Sequence, residues 1–114
     1  GGWFMVVDKG DNPLNFVDPS GTAMFVYSIQ RGVELGLLKA KEYTPVAYRG
    51  YQSLFPFIQV NDRGLLDVIG ACDGVVIKKN FIEYVTVPKI LNAKEAVAGI
   101  LWAAVIMETE QLKK

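Results

Sequence analysis

The sequence predicts a mostly α protein with three main helices and a short β-hairpin. Residues 96–107 form a run of twelve residues without a charged or polar side chain, which is long enough for three helical turns. Residues that favour helix N-termini precede this run and two earlier segments of the chain: Asn92, Ser20 and Thr44. Two short apolar runs flank a glycine-rich segment, residues 70–74, and this arrangement is typical of a hairpin.

The first helix is predicted over residues 21–35, with Ser20 as its N-cap and Gly36 just beyond its C-terminus. Its early part is apolar around nearly the full circumference, and its polar residues gather toward the far end. A short extended run, residues 3–8, precedes it and closes in a turn-rich stretch.

The second helix is predicted to start with Thr44 as the cap and Pro45 in the first helical position, and to run to about Phe55. Its polar and apolar residues are mixed, which indicates an outer helix with one solvated side. Strands are predicted over residues 65–69 and 81–87.

Asn92 is predicted to cap the third helix, with Glu95 three residues later as the second half of a capping box. This helix contains the apolar run. A helix that is apolar on every face must be covered on every side. Because a bilayer needs about 20 apolar residues, the run predicts a core helix packed on several sides.

The alternation of helix types favours a two-layer helical toroid, in which inner helices are apolar all round and outer helices are amphipathic. A chain of 114 residues is too short to cover so much apolar helix surface unaided. Residues 1–114 are therefore expected to be a single domain or a fragment of a larger helical barrel. Self-association or a missing N-terminal part would supply the cover.

The composition excludes several classes of partner and chemistry. Twelve basic and twelve acidic residues give a net charge of zero, without a basic stripe between aromatic residues, so no nucleic acid partner is expected. No membrane segment is recognisable either, and we expect no membrane partner. The chain lacks histidine and has one cysteine, so it predicts no metal site, no cofactor and no internal disulfide. The compartment stays open between the cytoplasm and the periplasm of a bacterium.

Segments along nearly the whole chain resemble the C-terminal third of glycoside hydrolase family 105 and of its relative, family 88. The most specific segment is Ser20-Gly21-Thr22-Ala23-Met24-Phe25, within residues 15–25, and residues 2–4, 31–38, 43–47, 64–74 and 92–99 follow the same family pattern. The resemblance implies that this chain is the C-terminal portion of an (α/α)6 barrel.

The resemblance also implies a chemistry, that of unsaturated glucuronyl and rhamnogalacturonyl hydrolases. These enzymes hydrate the C4–C5 double bond of an unsaturated uronic acid in the oligosaccharide products of polysaccharide lyases. An aspartic acid acts as general acid and base, and a second carboxylate supports it. Those aspartates belong to the N-terminal two-thirds of the family pattern, and no position here matches them. We therefore assign no catalytic residue to this chain and expect it to be inactive alone.

Five residues are predicted to contact an oligosaccharide substrate: Trp3, Asp18, Ser20, Asp73 and Lys94. Asp18 and Ser20 stand at the start of an inner helix, whose free N–H groups suit a uronate carboxylate. Trp3 lies near an extended edge, where its ring could stack on a sugar face. Asp73 follows Cys72 in the glycine-rich loop, and Lys94 is a charge partner for a uronate at the last helix.

Most of these residues also have a structural interpretation. Asp18 and Ser20 would stabilise a helix start, and Asp73 would support a turn. Asn92, Lys94 and Glu95 would cap the last helix. The pairs of Asp73 with Asp67 or Glu83 are expected to be chance combinations of carboxylates. Cys72 has no histidine to activate it as a nucleophile. Trp102 falls in the apolar run and is expected in the core.

A second class of function stays open beside the hydrolase. The chain could be a non-catalytic helical module for self-association or for binding a ligand or partner.

Overall fold

The protein is described by a computed structural model that covers residues 1–113. Within that range it has four α-helices and two two-stranded antiparallel sheets. The expected extended run near the N-terminus forms only a single β-bridge, between Phe4 and Val17. This bridge places the first residues of the chain beside the start of the first helix.

Helix α1 spans Pro19–Glu34 and begins two residues before the predicted start. The predicted cap was wrong by two positions, because Asp18 rather than Ser20 is the N-cap. The Oδ1 atom of Asp18 accepts hydrogen bonds from the backbone N–H of Ser20 at 3.1 Å and from its hydroxyl at 2.8 Å. Pro19 then takes the first helical position, which costs no hydrogen bond.

Helix α2 spans Ala40–Gln52 and starts well before the predicted cap. Thr44 is therefore not an N-cap, and Pro45 lies inside the helix, where it removes one backbone hydrogen bond. Leu54, which follows the helix, is fully buried, and Ala47 and Tyr51 anchor one side of α2 in the core. This packing fixes the helix although its proline breaks one bond of the ladder. A 3₁₀ turn, Phe55–Phe57, follows.

Strands β1, Ile58–Val60, and β2, Leu66–Val68, form a hairpin, with Ile58 opposite Val68. A short hairpin is therefore present, but its turn lies at residues 61–65 and not at the predicted residues 70–74. Strands β3, Ala71–Cys72, and β4, Lys89–Ile90, form a second short pair. Both pairs lie beyond the C-terminal end of α2 and lead to the last helix.

Helix α3, Phe81–Val85, occupies part of the segment that was predicted as a strand, residues 81–87, and that prediction is wrong. The cause is a helix cap at Asn80. The Oδ1 of Asn80 accepts a hydrogen bond from the N–H of Glu83 at 3.0 Å. The Oε2 of Glu83 accepts one from the N–H of Lys79, the residue before the cap, at 2.8 Å. A capped helix start favours a helical turn over an extended chain.

Helix α4 spans Lys94–Leu112 and contains the apolar run. Asn92 does not cap it, because Asn92 has a φ of 55° and Ala93 takes the cap position. The side-chain amide of Asn92 instead binds the hairpin. Its Oδ1 accepts from the N–H of Val68 at 2.7 Å, and its Nδ2 donates to Asp67 at 2.9 Å.

Helix α1 packs between α2 and α4, and two glycines allow the close approach. A Cβ atom on Gly50 would lie 2.7 Å from Val26, and one on Gly99 would lie 3.2 Å from the Cβ of Ala23. The core between these helices is largely aliphatic, and it also encloses Gln30. No hydrogen-bond partner for the amide of Gln30 lies among residues 1–113.

The opposite side of α4 is not covered by the chain. Leu101, Trp102 and Val105 are 61%, 60% and 66% exposed, so the expectation that Trp102 lies in the core is wrong. The ring of Trp102 forms a T-shaped pair with Tyr27, with 5.2 Å between ring centroids. The structure therefore agrees with the expectation that this chain cannot enclose its most apolar helix.

Candidate substrate site at the helix N-termini

A small pocket of about 210 Å³ lies where α1 and α4 begin. Segments from four parts of the chain meet there, because the β3 strand and the glycine-rich loop run across both helix starts. Its lining residues are Met5, Asp18, Ser20, Met24, Cys72, Gly74, Val75 and Glu95. The polar part of the lining consists of two carboxyl groups, a hydroxyl and a thiol.

Hydrogen bonds to residues before and after it in the sequence hold Asp18 in place. Its N–H donates to the carbonyl of Trp3 at 2.9 Å, and its carboxylate is bound by Ser20. The N–H of Trp3 in turn donates to the Oγ1 of the buried Thr22 at 2.9 Å. The position of the Asp18 carboxylate is therefore fixed by the fold before any ligand arrives.

Cys72 forms the floor of the pocket and is only 6% exposed. Burial raises the pKa of its thiol, the negative charge of Asp18 raises it further, and Lys89 acts in the opposite direction. The Sγ atom lies 3.9 Å from the carbonyl oxygen of Val87. A thiol in this environment stays protonated at neutral pH, which agrees with the expectation that Cys72 is not a nucleophile.

Glu95 stands in the first turn of α4 and faces the loop that contains Gly74. The Oε2 atom of Glu95 is buried and has no hydrogen-bond partner among residues 1–113. Its Oε1 atom would lie 3.8 Å from a Cβ on Gly74, whose φ of 67° requires glycine. A buried carboxylate oxygen without a partner is costly, and a ligand hydroxyl could satisfy it.

The charges of the pocket determine which ligand groups suit it. Asp18 and Glu95 accept hydrogen bonds, and no lysine or arginine lines the pocket. A carboxylate of a ligand would meet repulsion there, whereas sugar hydroxyls can donate to both side chains. The predicted fit of a uronate carboxylate to this end of α1 is thus weaker than the fit of neutral hydroxyl groups.

The pocket includes two of the five predicted substrate contacts, Asp18 and Ser20. Asp73 lies between two lining residues in sequence but is exposed and does not line the pocket. Trp3 packs on Phe25 with 5.1 Å between ring centroids. Lys94 borders a separate apolar groove between α4 and the hairpin. Glu95, which the sequence pattern marked chiefly as a cap, is the residue of this pocket that sequence reasoning undervalued.

The carboxylates that were considered as pairs with Asp73 have other contacts. Asp67 accepts from Asn92 and from the Nδ2 of Asn61 at 3.3 Å, and Glu83 belongs to the cap of α3.

In residues 1–113 no group of three or more acidic or cysteine side chains is placed to hold a metal ion. None of the helices there is long and apolar enough to cross a membrane.

The fold is that of a helical glycoside hydrolase. The structure matches one described as "Structural Analysis of C. acetobutylicum ATCC 824 Glycoside Hydrolase From Family 105", with a TM-score of 0.84 and 27% sequence identity. The match covers 94% of this chain and 31% of that chain, so the present chain spans about a third of the length of its structural relative. The mostly α architecture, with its short hairpin, therefore corresponds to part of the family 105 fold.

A family model gives the more particular assignment. Residues 1–111 match the model described as Glycosyl Hydrolase Family 88. Because the match includes nearly the whole chain, the protein belongs to this family, and the resemblance to families 88 and 105 is confirmed. The family is one of glycosyl hydrolases, as the description of its model states.

Proposed function

We propose that this chain is the C-terminal wall of a glycoside hydrolase that hydrates the C4–C5 double bond of unsaturated uronic acids. The observation that carries the proposal is the family match over residues 1–111. Family membership alone defines a glycosidase, and the choice of unsaturated uronic acids rests on the resemblance of residues 18–25 and the later segments to such hydrolases.

In this proposal the chain binds the sugar, and the acid and base that hydrate the double bond come from outside residues 1–114. The pocket at the helix N-termini holds Asp18, Ser20 and Glu95 as hydrogen-bonding groups for sugar hydroxyls. Trp3, Asp73 and Lys94 remain proposed substrate contacts that would act in a longer substrate-binding cleft. The absence of a positive charge in the pocket means that the uronate carboxylate would bind elsewhere.

The experiment measures both turnover and binding by the purified chain. Incubation with an unsaturated uronic acid disaccharide should leave the ultraviolet absorbance of its double bond unchanged. A full-length hydrolase of the same family serves as the positive control. Sustained loss of that absorbance would contradict the assignment of catalysis to residues outside this chain.

Binding is tested by calorimetry with the same disaccharide. Glu95→Gln removes the charge but keeps an acceptor, and should weaken binding several-fold, since a hydrogen bond to a charged group is stronger than one to a neutral group by about 1 kcal/mol. Glu83→Gln, an exposed carboxylate outside the pocket, is the matched control and should bind as the parent does. Equal loss in both variants would show that the pocket is not the sugar site.

One observation favours the second candidate, a helical module for self-association: the uncovered apolar side of α4. It does not conflict with family membership, because a segment of a barrel and a self-associating chain can present the same helix.

A further inference from the structure

Gly21 lies in the first turn of α1, where the backbone gives no reason for a glycine. The residue is helical and its φ is not positive. Alanine is the better helix former at such a position, because glycine loses more backbone freedom on folding. The space around Gly21, rather than its conformation, must therefore explain the missing side chain.

The space beside Gly21 is occupied by the carboxylate of Asp18. A Cβ atom on Gly21 would lie 3.0 Å from the Oδ2 of Asp18 and 3.7 Å from its Cγ. The shorter of these separations is closer than an ordinary non-bonded contact. An alanine would therefore displace Oδ2, whereas the glycine lets this oxygen rest against the helix.

The two oxygens of Asp18 have different tasks. Oδ1 accepts both hydrogen bonds from Ser20, one from the N–H at 3.1 Å and one from the hydroxyl at 2.8 Å. No hydrogen bond from residues 1–113 reaches Oδ2. Asp18 lines the pocket at the helix N-termini. Oδ2 is thus the oxygen that can accept a hydrogen bond from a ligand hydroxyl.

The two tasks are linked, because a carboxylate is planar and its oxygens move together. A displacement of Oδ2 turns Oδ1 relative to Ser20, so the cap and the ligand acceptor cannot both keep their geometry. Hydrogen bonds weaken steeply as their angles depart from linearity. A small side chain at position 21 is therefore enough to disturb binding at Oδ2.

From these contacts we infer that Gly21 is a positioning residue, which leaves room for the Oδ2 of Asp18 to accept a hydrogen bond from a sugar hydroxyl. The inference rests on the proposed function, because it takes the ligand of the pocket to be a sugar. Gly21 does not line the pocket. It acts through Asp18 and does not touch the ligand.

Calorimetry with the unsaturated disaccharide and thermal unfolding of Gly21→Ala together test the inference. The affinity should fall several-fold, while the midpoint of unfolding should stay the same or rise, because alanine favours the helix. A glycine with only a structural role would lower the midpoint and not the affinity alone. Gly32→Ala is the matched control in the same helix. Its Cβ would meet only the side chain of Leu38, so its affinity should equal that of the parent.

A double-mutant cycle shows whether Gly21 acts through Asp18. Asp18→Ser keeps a capping oxygen and removes Oδ2, so it should weaken binding without loss of the helix start. Adding Gly21→Ala to Asp18→Ser should change the affinity less than about two-fold, the limit expected for independent sites.

Three results would overturn the inference and leave the proposed function standing. These are parent affinity in Gly21→Ala, a full further loss when Gly21→Ala is added to Asp18→Ser, and a fall of the midpoint together with the affinity in Gly21→Ala. A parent chain that binds no disaccharide would overturn both the inference and the sugar site of the proposed function.

Discussion

Tyr51 couples the stability of the fold to alkaline pH. Its side chain is 8% exposed and donates to Glu108 across from α2 to α4. Burial, and then the hydrogen bond and charge of Glu108, raise the pKa of Tyr51 from 10.0 to about 12. The folded state therefore holds this proton more firmly than the unfolded state does. The stabilisation is complete below pH 10 and is lost between pH 10 and about pH 12.

Tyr51→Phe should lower the free energy of unfolding by about 1–2 kcal/mol at neutral pH, because the hydrogen bond to a charged carboxylate is lost. It should also flatten the decline in stability between pH 10 and 12. Urea unfolding across that range measures both effects. Tyr43→Phe, at a more exposed tyrosine, should keep the parent's alkaline slope. The same slope in Tyr51→Phe as in the parent would refute the coupling.

At the scale of elements, one short motif shows what the sequence can and cannot predict. The pattern Asn-x-x-Glu occurs at Asn80 and Glu83 and again at Asn92 and Glu95. At the first pair Asn80 caps a helix that was not predicted, and the second pair was predicted as a capping box but does not form one. The spacing of Asn and Glu is the same in both cases. The difference is that Asn92 gains two hydrogen bonds to the hairpin in a left-handed conformation.

The presence of the three long helices could be predicted, because their apolar residues and their helix-terminating residues lie within or next to each segment. The start of α2 could not, since Pro45 is usually a first-turn residue, whereas here the helix begins five residues earlier at Ala40. The pocket was predicted in part. Asp18 and Ser20 followed from their helix-start pattern, whereas Glu95 joins them only because the loop at Gly74 folds over α4.

The packing of α1 against α2 depends on the missing side chain at Gly50. Alanine there would gain about 1 kcal/mol of helix propensity. Its Cβ, however, would lie 2.7 Å from Val26 and 2.9 Å from the ring of Trp3. Overpacking of this kind costs about 1–3 kcal/mol, so Gly50→Ala should lower the free energy of unfolding and the midpoint of thermal unfolding.

Gly32→Ala is the matched control for this prediction. It makes the same change within α1, but the nearest atom is the Cδ1 at the tip of the Leu38 side chain, which can move aside. Thermal unfolding should show Gly32→Ala as stable as the parent or more so. If Gly50→Ala were the more stable of the two, the close contact between α1 and α2 would not require glycine at position 50.

The whole molecule has the shape of a slab, with extents of 42 × 38 × 22 Å. Its radius of gyration of 14.8 Å exceeds the value of about 13 Å typical of a closed domain of this length. A slab has one core and two broad faces, and one of these faces includes the exposed Leu101, Trp102 and Val105 of α4. The shape suits one segment of a helical barrel, which agrees with the match of this chain to about a third of the length of a family 105 structure.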